Sequence, residues 1–112
     1  MISMEMFREL AHNLGEVTEA PHFERTAFRI NTGRKKKGAP LTRIFATYDG
    51  RTHRACLKLS PRDQDLFTLH DTAIIYPVPN KWGKQGWTYV ELKKVRKSVL
   101  RDALKAAMEE VH

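Results

Sequence analysis

The sequence predicts an α+β fold, in which an antiparallel sheet of about five strands carries the two terminal helices packed on one face. Apolar residues recur every three or four positions near both ends of the chain, which is typical of helices with one buried side. Between them, apolar and polar residues alternate, which is typical of half-buried strands. The chain of 112 residues fits a single domain, residues 1–112.

The first helix is predicted by an apolar stripe close to the N-terminus. Its members are spaced as i, i+3, i+4 and i+7, namely Phe7, Leu10, Ala11 and Leu14. Ser3 is placed to cap this helix and Gly15 to end it.

Three adjacent strands follow and predict a meander: Glu24–Ile30, Leu41–Tyr48 and Thr52–Leu59. Asp49-Gly50, the strongest short hairpin signal in the chain, separates the second from the third. The alternation predicts which side chains face inward: Thr26, Phe28 and Ile30, then Ile44, Ala46 and Tyr48, then Ala55, Leu57 and Leu59.

The remaining elements are shorter until the C-terminal helix. Ser60-Pro61 begins a short helix that ends near Leu69, because serine caps and proline suits the first helical position. Two brief strands follow, Ala73–Tyr76 and Trp87–Leu92, joined by a proline- and glycine-bearing loop. The last helix has Ser98 as its predicted N-cap and an apolar stripe of Leu100, Ala103, Leu104, Ala107, Met108 and Val111.

The charge of the chain is strongly basic and unevenly distributed. The formal net charge is +7 and the calculated pI is about 9.8. Met1–Ala20 carries a net charge of −3, whereas Pro21–Arg62 carries +9. This excess in one block of sequence favours an acidic partner.

Several classes of protein have no support in the sequence. A single cysteine, Cys56, permits no internal disulfide and no cysteine-based zinc site, and the five histidines lack a spacing for joint metal ligation. No P-loop, HExxH, dinucleotide fingerprint or nucleophile elbow is present. We therefore expect a protein that is not an enzyme and has no cofactor and no metal. The N-terminus does not resemble a signal peptide and no apolar stretch could span a membrane, so a cytoplasmic location is expected.

A run of four cations bounded by glycines, Gly33 to Gly38, is the most informative segment. Glycine frees the backbone and adjacent like charges repel, so we expect a mobile hairpin tip that contacts the phosphates of a nucleic acid. Its candidate phosphate ligands are Arg34, Lys35, Lys36 and Lys37. The alternative is a solvated turn that keeps the protein soluble.

The outward positions of the predicted strands combine cations with aromatic rings, a combination suited to single-stranded nucleic acid. The predicted outward set is Arg25, Arg29, Arg43, Arg54 and Lys58, with Phe45, Trp87 and Tyr89 among them. The alternative is an ordinary polar sheet exterior, and a facing assignment one residue out of register would change the set.

A loop rich in glycine and lysine supplies a second candidate surface. It contains Lys81, Trp82 and Lys84 and leads to Trp87. An exposed tryptophan there suits a base, a protein groove or a planar ligand, whereas tryptophans beside prolines also fold back to close a small core.

Several segments together resemble the MmcQ/YjbR family over nearly the whole chain. They are Leu14–Val17, Pro21–Phe23, Ala27–Ile30, Ile44–Thr47, Leu57–Pro61 and, most specifically, the proline–tryptophan–glycine segment Tyr76–Thr88. The resemblance implies a small α+β fold similar to CyaY/frataxin, described as a double wing, whose members are commonly labelled DNA-binding. It implies no catalytic residues. The Asn31–Thr42 connection is longer and more basic than the tight turn typical of the family.

The frataxin similarity implies a second function, that of a protein-interaction or regulatory module. Frataxin-like proteins interact with iron and with cysteine-desulfurase machinery through an acidic first helix and an exposed sheet face. Here the first helix carries only scattered acids and the predicted sheet face is cationic. We therefore expect nucleic acid as the partner, with a protein contacted through the tryptophan loop as the alternative.

Overall fold

The computed structural model describes every residue from Met1 to His112. Four helices and six strands follow one another in the order α1 (Met4–His12), β1 (Val17–His22), β2 (Arg25–Lys36), β3 (Ala39–Asp49), β4 (Arg54–Lys58), α2 (Pro61–His70), β5 (Ile75–Pro77), α3 (Lys81–Lys84), β6 (Trp87–Glu91) and α4 (Lys97–Val111). The α+β class that the sequence predicts is confirmed.

The strands form one antiparallel sheet in the order β1-β2-β3-β4-β6-β5. The predicted meander is present as β2, β3 and β4. The expected number of about five strands is one too low, because Val17–His22 is a strand at the sheet edge. This strand contains Pro21, which an edge position tolerates because one side of the strand has no neighbour to bond.

Helices cover one face of the sheet, as predicted. The two terminal helices, α1 and α4, pack on that face, and α2 lies beside α4 and packs on β5. Beneath them is a single cluster of buried apolar residues that includes Phe7, Phe28 and Leu104. Ser3 caps α1 as expected, but α4 begins at Lys97 with Arg96 as its N-cap instead of Ser98.

A β-bulge in β3 changes the predicted facing of three residues, Arg43, Ile44 and Phe45. Phe28 pairs with Ala46 but the next residue, Arg29, pairs with Ile44, so Phe45 is an extra residue. Phe45 is fully buried in the core, and the assignment of Phe45 to the outer face is wrong. Arg43 pairs with the buried Ile30 and, because directly paired residues share a face, Arg43 lies on the helix-covered side.

The other face of the sheet carries no helix along most of its length and is called the open face below. It is crossed at one end by the segment from Val78 to Gly86, which contains the short helix α3. The open face and the β2–β3 hairpin carry most of the residues that the sequence singled out.

Candidate nucleic-acid interface

The basic run forms part of a two-stranded ribbon, so the predicted hairpin is present, but its turn is shorter than the Asn31–Thr42 connection that the sequence indicates. β2 continues to Lys36, β3 begins at Ala39, and Lys36 pairs with Ala39. The turn is only two residues, Lys37 and Gly38, with φ of +51° and +80°. Positive φ at both central positions is the geometry of a type I′ hairpin turn. We call residues 31–42 the basic ribbon.

The basic ribbon extends beyond its neighbouring strands. Pairing of β1 with β2 ends at Ile30, and pairing of β4 with β3 ends at Ala46. Residues 33–40 are all exposed, and none of the four cations forms an ion pair. Both faces of the ribbon are therefore open to a partner.

A bulge at the base of the ribbon is stabilised by its own side chains. Thr32, which is buried, donates a hydrogen bond from Oγ1 to the carbonyl oxygen of Leu41 at 2.9 Å. The backbone N–H of Gly33 donates to Oδ1 of Asn31, and that of Arg34 to Oγ1 of Thr32. Gly33 has φ of +78°, which a residue with a side chain rarely adopts. These contacts fix the direction in which the basic ribbon leaves the sheet.

The open face carries four of the predicted cations, but one of them is paired with a carboxylate and another contacts a tyrosine hydroxyl. Arg29 and Lys58 contact no carboxylate, and the Lys58 ammonium donates to the carbonyl oxygen of Gln85. Arg25 lies 3.6 Å from the buried carboxylate of Asp49. The face is therefore less positive than the sequence alone predicts.

Arg54 is held in a network with two tyrosines and an acid. Its Cζ lies 4.6 Å from the centre of the Tyr89 ring, and its Nη1 is 3.5 Å from the Tyr76 hydroxyl. That hydroxyl donates to the carboxylate of Glu91. Contact with Tyr76 raises the pKa of Arg54, while burial, reinforced by the bond to Glu91, raises the pKa of Tyr76. Arg54 and one side of Tyr89 are thus already occupied.

Asp49 holds the β3–β4 turn that Asp49-Gly50 predicts. Burial alone would raise the pKa of Asp49, but the backbone N–H groups of Arg51 and Thr52, together with the guanidinium groups of Arg51 and Arg25, lower it below its ordinary value. The carboxylate is therefore ionised at neutral pH and neutralises part of the local positive charge.

A groove of about 420 Å³ lies in the open face. Its apolar walls are formed by residues distant in sequence, Ile44, Val78, Trp82, Trp87 and Tyr89, with His22, Arg25 and Asn80 as polar neighbours. Trp82 is 50% exposed and Trp87 is half-buried. The tryptophan segment is thus largely available for contact, instead of being folded into the core.

The segment of the groove wall that carries Trp82 is held in place by hydrogen bonds and by a close backbone contact. Asn80 Oδ1 accepts from the backbone N–H of Trp82 at 2.9 Å and caps α3. Gln64, buried on α2, donates from Nε2 to the carbonyl oxygen of Gly83 and to Oγ1 of Thr88. A Cβ at Gly83 would lie 1.9 Å from the carbonyl oxygen of Val78, so only glycine permits this approach.

Lys81 and Lys84 are exposed on α3, as is Trp82. The Lys81 ammonium lies 5.7 Å from the centre of the Trp82 ring, within the range of a cation–π contact. The predicted loop residues are thus together, although the loop contains a short helix.

Cys56 lies at the floor of the groove and is almost completely buried. Burial raises the pKa of its thiol to about 11. The group is therefore a neutral thiol at physiological pH, which is the opposite of what a nucleophilic cysteine requires.

Sequence reasoning assigned no binding role to six groove residues: His22, Ile44, Thr47, Cys56, Val78 and Asn80. Ile44 was assigned to the core because the bulge at Phe45 leaves no signature in the pattern. The sequence from Pro77 to Asn80 predicted only the end of a strand. In the structure this segment lies over the open face of the sheet. The proline-rich stretch followed by Trp82 was the one available signal.

Two further structural observations concern membranes and metals. No helix has the length and apolar character needed to cross a bilayer. No cluster of three or more histidine, cysteine, aspartate or glutamate side chains is arranged to hold a metal ion.

The fold and the candidate site define a small α+β protein with a helix-covered antiparallel sheet, an open grooved face and a basic ribbon. A solved structure with this fold is that of Deinococcus radiodurans protein DR2400, which contains a DUF419 domain. The two share a TM-score of 0.78 and 20% sequence identity, over 99% of this chain and 79% of the other. No sequence-family model and no curated protein matches the chain. At this identity the likeness establishes the fold alone.

Proposed function

We propose that this protein binds nucleic acid with little sequence preference, through phosphate contacts made by the basic ribbon. The observation that carries the proposal is the position of Arg34–Lys37 on a ribbon that extends past both neighbouring strands, exposed and without ion pairs. Four adjacent cations on an uncovered ribbon attract a regular array of phosphates.

The positions of the acidic residues favour the basic ribbon, and not the open face of the sheet, as the main contact with nucleic acid. Arg25 and Arg54 have Asp49 and the Tyr76–Glu91 pair beside them, whereas the ribbon has no acid within ion-pair distance. Arg29 and Lys58 extend the positive surface from the ribbon towards the groove, and Lys81 and Lys84 flank it. Arg43 lies on the opposite side of the sheet and is left out of this surface.

The proposal includes membership of the MmcQ/YjbR family. DUF419 is a name for an MmcQ/YjbR-like domain, so the structural neighbour agrees with the sequence resemblance. A DNA-binding, non-enzymatic role is the form of the proposal that this family resemblance favours, and we propose the cytoplasm as its location. The neutral, buried thiol of Cys56 also supports binding without catalysis.

The test compares two variants that remove the same charge. One replaces Arg34, Lys35, Lys36 and Lys37 by alanine, and the other replaces the exposed cations Lys93, Lys94, Arg96 and Lys97 at the opposite end of the sheet. Fluorescence anisotropy with labelled oligonucleotides should show micromolar binding that the first variant loses and the second retains. Equal losses would mean that net charge alone attracts nucleic acid, and absence of binding by the native chain would end the proposal.

A second candidate function is docking of a protein partner on the aromatic edge of the groove. Phe23, in the β1–β2 turn, is 93% exposed with φ of +58°, and the ring of the neighbouring His22 lines the groove. A solvent-exposed phenylalanine held at positive φ is an unusual feature that suits a contact residue. A partner lost on replacement of Phe23 or Trp82, with nucleic-acid binding absent, would favour this function.

A further inference from the structure

The groove in the open face contains both tryptophans of the chain, next to the base of the basic ribbon. We infer that it is a binding site for one unstacked base of a single-stranded nucleic acid, whose neighbouring phosphates lie along the ribbon. This inference rests on the proposed function and adds to it a ligand group, a site and a preference for single strands over duplex.

The register of the strands places Ile44 and Trp87 of the groove towards the ribbon end of the sheet, whereas His22 and Arg25 line the groove towards the β1–β2 turn. Ala46 pairs with Leu57 and Lys58 pairs with Trp87, so the start of β3 points towards the Trp87 end of β6. Ile44 in the groove wall is five residues from Ala39 at the ribbon turn, a distance of about 17 Å along a strand. An extended strand can therefore reach from the groove to the ribbon cations.

The chemistry of the groove suits a planar heteroaromatic group. Trp82 and Trp87 offer ring faces for stacking, and Asn80 and His22 lie at the polar rim, where hydrogen bonds to base edges are available. The volume of about 420 Å³ is within the range of pockets that hold small organic ligands.

Cations at the rim of the groove are placed to contact the phosphodiester groups on either side of the bound base. Arg29 and Lys58 have no carboxylate partner, and Lys81 lies over the Trp82 ring. A stacked base in a duplex cannot enter the groove without being flipped out, which costs a few kcal/mol. In a single strand the base is already unpaired, so most of this free-energy cost is absent. We therefore expect tighter binding of single strands than of duplex.

The tryptophans themselves provide the measurement, because both line this groove. Their emission, excited at a wavelength that tyrosine does not absorb, therefore reports on the groove. A 20-nucleotide oligothymidylate should quench the fluorescence of the native protein and bind more tightly than a 20-base-pair duplex. Trp82→Ala should weaken single-strand binding by at least about fivefold, the lower end expected for one stacked base, and leave duplex binding within about twofold. Leu69→Ala, at an exposed leucine on α2, is the matched control and should change neither.

The outcomes separate this inference from the proposed function. If the ribbon variant loses both strand forms while Trp82→Ala changes neither, or weakens both equally, the ribbon function stands and the groove inference fails. If Trp82→Ala loses the single strand while the ribbon variant binds normally, the reverse holds.

Discussion

Gln64 on α2 donates a hydrogen bond of 2.9 Å to the carbonyl oxygen of Gly83, in the short helix that carries Trp82. The same nitrogen donates to Oγ1 of Thr88 at 3.0 Å. Because Gln64 and Thr88 are buried, this amide links the helix-covered side of the sheet to the wall of the groove on its open face. The position of Trp82 thus depends on a residue that lies outside the groove.

Replacement of Gln64 by leucine should therefore destabilise the protein and disturb the groove. Oγ1 of Thr88 would lose its donor, and the carbonyl oxygen of Gly83 would keep only the backbone N–H of Gly86. The expected cost is about 1–3 kcal/mol in the free energy of unfolding. Urea denaturation measures the loss, and tryptophan emission of the folded variant reports the groove. Gln85→Leu, at an exposed site, is the control and should change the free energy by less than about 0.5 kcal/mol. A Gln64→Leu variant with native stability and native emission would contradict the structural role.

Gly83→Ala should be strongly destabilising for a steric reason. The new Cβ would meet the Val78 carbonyl oxygen at 1.9 Å, so the backbone of the groove wall must move. We expect a loss of about 2 kcal/mol or more, in the range for overpacking of a tight site. Gly50→Ala is the matched substitution, since the nearest atom there is a Tyr48 ring carbon at 3.5 Å. Equal melting temperatures for the two variants would show that the close approach at Gly83 is absent.

Asp49→Asn should lower the free energy of unfolding by an amount that depends on pH. The folded pKa of Asp49 lies below its ordinary value of 3.8, so its carboxylate contributes stability that is complete above that value and is lost as the pH falls below it. Asparagine keeps the oxygen that accepts from the backbone of Arg51 but loses the charge that attracts Arg25.

The expected deficit of Asp49→Asn relative to the native chain is about 1 kcal/mol at pH 7, and it should shrink below about pH 4. Chemical denaturation across this range measures it. Asp65→Asn, at an exposed residue without an ion pair, should show no deficit at any pH. A deficit for Asp49→Asn that stays constant down to pH 2 would refute the charge interaction.

The Cys56 thiol should make the free energy of unfolding decrease at alkaline pH. Its folded pKa of about 11 exceeds the ordinary value of 9.0, so the unfolded chain releases the thiol proton first and stability is lost as the pH rises above about 9. Relative to Cys56→Ala, the native chain should lose roughly 1 kcal/mol by pH 10. The comparison cancels the titration of lysines and tyrosines that both chains share. Parallel stability curves between pH 8 and pH 10 would show that the thiol is not shielded from water.

The sequence was most informative where a local pattern decides the structure. Phe7, Leu10 and Ala11 of the predicted stripe form the buried face of α1, although the helix ends at His12, before Leu14 and the predicted stop at Gly15. Asp49 formed the turn that Asp49-Gly50 predicts. β1 could not be predicted in the same way. Only Val17 is buried in that strand, so no alternation marks it, and its structure depends on pairing with β2.

The surface was harder to predict than the core, because one residue of register reverses a face. The bulge at Phe45 moved Arg43 to the helix-covered side and brought Ile44 to the groove. The engagement of Arg54 with Tyr76 and Glu91 depends on the pairing of β4 with β6, which follows from the fold and not from any neighbouring residue in sequence.

The central claim is that the four ribbon cations carry the binding of nucleic acid, and the salt dependence of affinity tests it most directly. If about four phosphates are neutralised on duplex DNA, log affinity should fall against log salt with a slope near −3.6. Replacing Arg34–Lys37 by alanine should remove most of the slope, leaving only the part that Arg29, Lys58, Lys81 and Lys84 supply. Replacing Lys93, Lys94, Arg96 and Lys97 should leave the slope near the native value. A slope that falls equally in both variants, or that survives removal of the ribbon cations, would contradict the account.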